Sequence, residues 1–110
     1  MPQYVILLFE KETPNGLADM PPEVMEAHGR VEGRIEELGG RILHAHATEP
    51  RNSDATTVRD DVVTDGPFIE AKEAMAGFFV VEARDLDHAI EIARLVPIMD
   101  GGVEIRPLLA

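Results

Sequence analysis

FFVVEARDLDHAIEIARLVP, residues 78–97, sets a strand and a helix back to back. Phe78–Arg84 is β-prone, and the two-residue alternation of a strand puts Phe79, Val81 and Ala83 on one face. Asp85 then offers a capping carboxylate, and the spacing becomes helical over Leu86–Leu95. That spacing turns Leu86, Ala89, Ile90 and Ala93 inward, and Pro97 stops the helix. His88, in the first turn beside Asp85 and Asp87, reads as solvated.

Working outward, Gly101-Gly102 opens a last strand, Val103–Pro107. Val103 and Ile105 lie on one side of it, Glu104 and Arg106 on the other. Upstream, Asp65-Gly66-Pro67-Phe68 must turn, because Gly66 is permissive and Pro67 has no N–H for a ladder. Before it, Thr56–Arg59 and Val62–Thr64 read as a hairpin joined at Asp60-Asp61. Glu49–Asp54 is a polar loop. Arg41–Thr48 is a strand with Leu43, Ala45 and Ala47 on one face and Ile42, His44 and His46 on the other.

A helix precedes that strand, with Val24, Ala27, Val31, Ile35 and Leu38 as its apolar stripe. Asp19 is the expected cap, Pro21-Pro22 suit the first turn, and Gly39-Gly40 ends the helix. Lys11–Ala18, with Pro14-Asn15-Gly16 inside it, is a loop. Tyr4–Phe9 is apolar on both faces, as a central strand requires.

Setting the hairpin aside, the order is β-α-β-β-α-β, an α+β fold of ferredoxin-like type with an extra β-hairpin. The 110 residues form one domain, 1–110. Two helices cover one face of such a sheet. The other face carries Phe78, Val80, Glu82, Glu104 and Arg106, and a half-apolar open face is commonly closed by a second copy.

Composition narrows the function classes. Without cysteine there is neither a disulfide nor a thiolate metal site. The longest apolar runs, Tyr4–Phe9 and Ala74–Val81, are too short to span a bilayer, and no signal-peptide pattern precedes the first strand. The expectation is a cytoplasmic protein with no membrane partner. Ten basic against 21 acidic residues give a net charge of −11, which argues against nucleic acid as a partner. No phosphate loop, nucleophile elbow, zinc helix or dinucleotide fingerprint occurs, so no cofactor is expected.

From Asp65 the chain reads DGPFIEAKEAMAGFFVVEARDLDHAIEIARLVP, and it ends GGVEIRPLLA. Upstream lie MPPEVMEAHGRVEGRIEELGGRIL and ATTVRDDVVTDGPF. Together these segments resemble the DGPF branch of the YCII-related family, whose motif is usually written DGPFAETKE. The resemblance implies a dimeric α/β barrel of two ferredoxin-like subunits, a bacterial cytoplasmic origin, and frequent proximity to genes for extracytoplasmic-function sigma factors. Members are mostly uncharacterised. YCII-type relatives have a His–Asp pair proposed as an active site, and one relative in chloroaromatic breakdown is linked to dehydrochlorination. Ile69, Ala71, Ala76 and Phe79 depart from the usual Ala, Thr, Gly and Tyr. Phe79 lacks the hydroxyl, so a role for that hydroxyl does not transfer.

His28 lies on the apolar stripe of the first helix and matches the family His; Asp65 matches the family Asp. A carboxylate that accepts from one imidazole nitrogen leaves the other free as acid or base. The competing reading is a packed histidine satisfied by a backbone carbonyl, with Asp65 shaping a turn. Arg59, Glu70, Lys72, Glu73 and Arg106 fall in the matching segments. They can line a pocket for a small anionic or phenolic ligand, or pair with one another as an ion network. His44 and His46 share a strand face, but no third ligand stands at an obvious position, so no metal is expected.

Two functions follow. One is a cofactor-free lyase or isomerase using His28 and Asp65 in a cleft of the dimeric barrel. The other is a non-catalytic accessory module of a sigma-factor circuit that binds a ligand or a protein.

Overall fold

The computed structural model describes residues 1–109, Leu17 by its backbone alone. Its order is β1 (Gln3–Lys11), α1 (Pro22–Glu37), β2 (Arg41–Ala47), β3 (Thr56–Arg59), β4 (Val62–Asp65), β5 (Glu73–Glu82), α2 (Leu86–Ala93) and β6 (Gly101–Pro107). β2, β5, β1 and β6 form one sheet in that order, and β3 and β4 form a separate two-stranded sheet. Neighbouring strands are antiparallel throughout. This mixed α+β arrangement is compatible with a ferredoxin-like fold. Among the described residues no helix is long and apolar enough to cross a membrane.

Alternation along β1 and β5 builds the core. Tyr4, Ile6 and Leu8 point to the same side as Phe79 and Val81, and Val31 and Ile35 of α1 and Ala89, Ile92 and Ala93 of α2 pack against them. Ile6, Ile35, Val81 and Ile92 are fully buried, each worth roughly 1.5–3 kcal/mol against leaving it in water. The opposite face carries Val5, Leu7, Phe9, Phe78 and Val80, all only half-buried. Both helices therefore serve one face, and the other keeps an apolar centre.

Several local expectations need correction. β5 starts at Glu73 rather than Phe78 and ends at Glu82, because β1 extends its ladder as far as Lys11 opposite Glu73. α2 closes at Ala93, and tighter turns from Ile92 to Leu95 and from Ala93 to Val96 finish it. Leu86 is 52 % exposed, whereas His88 and Ile92 face the core with Ala89 and Ala93. A register shift between Ile42 and His44 puts Ile42 opposite Val81 on the core side, leaving His44 and His46 on the open side. Pro21, not Asp19, occupies the N-cap of α1. Asp19 instead accepts from the backbone and side-chain amides of Asn15, both at 3.0 Å. Those two bonds hold its carboxyl below the usual value.

His88 is the largest correction. It is 2 % exposed. Its Nδ1 accepts the Arg84 amide at 3.0 Å and its Nε2 lies 2.8 Å from the Leu38 carbonyl. The helix cap itself is as expected, with Asp85 Oδ1 accepting from the His88 amide at 2.9 Å.

The Asp60-Asp61 hairpin forms as read. Both residues have positive φ, 50° and 67°, and Arg59 pairs directly with Val62. Such a two-residue turn matches the twist of the flanking strands. The Gly66 amide bonds the Ala55 carbonyl at 2.8 Å and Thr57 Oγ1 bonds the Gly66 carbonyl at 2.7 Å, which ties the base of the hairpin together.

Candidate functional site

A cleft of about 560 Å³ opens between the first half of α1 and the β2 side of the sheet. Leu8, Ala45, Ala47, Phe78 and Phe79 come from strands, while Met25 comes from α1, Met20 from the loop before it and Met99 from the segment between α2 and β6. The polar groups in this mostly apolar wall are Glu10, Thr13, His28, His46, Thr48 and Glu49. Thr48 is already used, since its hydroxyl donates to the Met75 carbonyl at 2.7 Å.

Glu10 continues the inward alternation of Tyr4, Ile6 and Leu8 and is 5 % exposed. Its Oε1 accepts the Met99 amide at 2.9 Å, which fastens the segment after α2 to the end of β1. Its second oxygen has no protein partner among the described residues, and no cation pairs with it there. Thr13 is 8 % exposed, and its hydroxyl is buried without a partner among the described residues. Unpaired buried polar groups are uncommon in folded chains.

His28 is half-buried on α1 and faces this cleft. Neither ring nitrogen is hydrogen-bonded among the described residues, and neither is sealed from solvent. A histidine fixed in the core by a carbonyl would look like His88, with both nitrogens engaged.

The other expected site residues lie elsewhere in the chain. Asp65 ends β4, is exposed, and shares no hydrogen bond or ion pair with His28 among the described residues. Arg59 lies on the hairpin, its guanidinium 4.4 Å from the centre of the Phe68 ring. Glu70 and Lys72 are exposed in the connection to β5, and Glu73 is exposed at the start of that strand. Arg106 bonds Glu104 at 2.5 Å on the open face of β6. None of these six lines the cleft that holds His28. Among the described residues no group of three or more His, Asp or Glu side chains could hold a metal ion.

Sequence reasoning passed over Glu10 and Thr13. The signal for Glu10 was present in the parity of Tyr4, Ile6, Leu8 and Glu10, but an apolar run on both faces hides which parity faces inward. Thr13 lies in a loop and carries no periodic signal.

Fold and cleft define a small α+β domain with a roomy apolar cavity beside one sheet edge. The chain belongs to the YCII-related family, whose domain model matches residues 4–110. It is also similar to an uncharacterized protein of Rhizobium meliloti (strain 1021), 38 % identical over 52 residues. That stretch is 44 % of this chain and 42 % of the relative, so the chain spans less than half of the relative's length in the match.

Proposed function

We propose that this protein handles a small organic molecule in the cleft, as a cofactor-free lyase or isomerase in the bacterial cytoplasm. His28 is its proton-transferring group. The observation that supports this most is a half-buried imidazole with both nitrogens unbonded among the described residues, facing a mostly apolar cavity that also takes a buried carboxylate. Apolar walls raise the strength of electrostatic interactions with a bound molecule, and an accessible imidazole suits proton removal near neutral pH. Asp65 enters as the partner of His28 on the family pattern; Glu10 and Glu49 are the carboxylates of the cleft itself.

The working unit of this proposal is a homodimer, a barrel closed by two open sheet faces. Val5, Leu7, Phe9, Phe78 and Val80 give each face an apolar centre, and Glu82, Glu104 and Arg106 give it a charged rim. A two-fold axis makes such a face its own complement.

A second reading, a non-catalytic module that binds a protein in a sigma-factor circuit, draws on the hairpin region. Val58, Val62, Val63, Phe68 and Ile69 are each at least 59 % exposed there. Two-stranded hairpins are marginal alone, so an apolar one suits a partner. Replacing His28 by Ala separates the two readings. Loss of ligand binding or turnover with the fold retained supports the cleft; unchanged ligand behaviour, with binding to a protein partner abolished by Val63→Lys, supports the module.

A further inference from the structure

We infer that the cleft takes a ligand with a cationic nitrogen on an apolar body, an amine rather than an anion. This rests on the cleft being the functional site and names the class of molecule for it. The expectation of an anionic or phenolic ligand relied on Arg59, Lys72 or Arg106 as the receiving cation. Those residues lie outside the cleft, and among the described residues no Lys or Arg lines it. Its charged groups are instead two carboxylates, Glu10 inside and the exposed Glu49 at the mouth.

Glu10 carries the inference. A carboxylate that is 5 % exposed is normally matched by a cation or by several donors. Glu10 has the Met99 amide on Oε1, and its other oxygen has no partner among the described residues. That oxygen is not sealed from solvent, so a donor entering the cleft can reach it, and an ammonium N–H makes the stronger, charge-assisted bond to a carboxylate. The remaining wall fits the same head group. Phe79, on the same side of the sheet as Glu10, offers an aromatic ring, whose face attracts cations. An anion in the same place meets two like charges and no donor stronger than an imidazole. The net charge of −11 favours cation entry over anion entry from long range as well.

The test compares three probes with one body: 2-phenylethylammonium, 4-ethylphenol and 3-phenylpropanoate. Each is titrated into the full chain near neutral pH, with affinity from calorimetry and location from the ring signals of His28. The ammonium should bind at least about tenfold more tightly than either of the others, as a charge-assisted bond predicts. Glu10→Gln, which keeps an oxygen for the Met99 amide, should erase that preference while the melting temperature holds. If the phenol or the propanoate binds as tightly as the ammonium and moves the His28 signals, the cationic assignment is overturned and the cleft stands as the site. If none of the three moves those signals, both the assignment and the cleft reading fall.

Discussion

The Nε2 of His88 lies 2.8 Å from the carbonyl oxygen of Leu38, and so joins the start of α2 to the end of α1 across fifty residues of sequence. Because Nδ1 accepts the Arg84 amide, the ring is the neutral tautomer with its hydrogen on Nε2. Replacing His88 by Ala leaves the Arg84 amide and the Leu38 carbonyl without this partner and opens a cavity where the buried ring stood. We expect a loss of about 3 kcal/mol in urea unfolding with the slope unchanged. A loss under about 0.5 kcal/mol, the range of a surface substitution, would contradict this tie.

Gly101 stands opposite Glu10 at the start of β6 with φ of 155°, and a Cβ there would lie 2.0 Å from the Phe9 carbonyl oxygen. Among the described residues nothing lies within 4 Å of a Cβ at Gly102. Gly101→Ala should therefore cost about 3 kcal/mol or more by overpacking and strain, and Gly102→Ala under about 1. Equal melting temperatures for the two variants would show that the close approach of β6 to β1 is wrong.

Sedimentation addresses the dimer. Two open faces should bury on the order of 1,600 Å² in total, typical of a stable pair. The species at micromolar concentration should then be twice 12.1 kDa. Leu7→Glu, at the centre of that face between Phe78 and Glu104, should give a folded monomer. A wild-type chain that sediments as a monomer would remove the barrel from the account.

Most of the architecture was legible in the sequence because periodicity reports which face is apolar. The two helices, the strand order and the Asp60-Asp61 hairpin all left such marks. What was not legible depended on three dimensions. Polar neighbours made His88 look wet, yet its two ring bonds reach a strand end and a distant helix end. The register shift at Ile42–His44 reverses a face that alternation alone cannot foresee. In the site, His28 was visible as a polar residue on an apolar stripe, and the structure puts it on the cleft. Glu10 and Thr13 needed the fold, since only packing tells a buried carboxylate from an exposed one.

The central claim is that the cleft around His28 binds a small molecule. Methionine methyl signals test it directly, because Met20, Met25 and Met99 line the cleft while Met1 and Met75 do not. A fragment screen read on labelled methionine methyls should give hits that move Met20, Met25 and Met99 together with the His28 ring. In His28→Ala those hits should weaken about tenfold or more, as for loss of a hydrogen bond in an apolar site, with the melting temperature nearly unchanged. Hits that move only Met1, Met75 or the hairpin, or a His28→Ala chain that loses its fold, would contradict the claim.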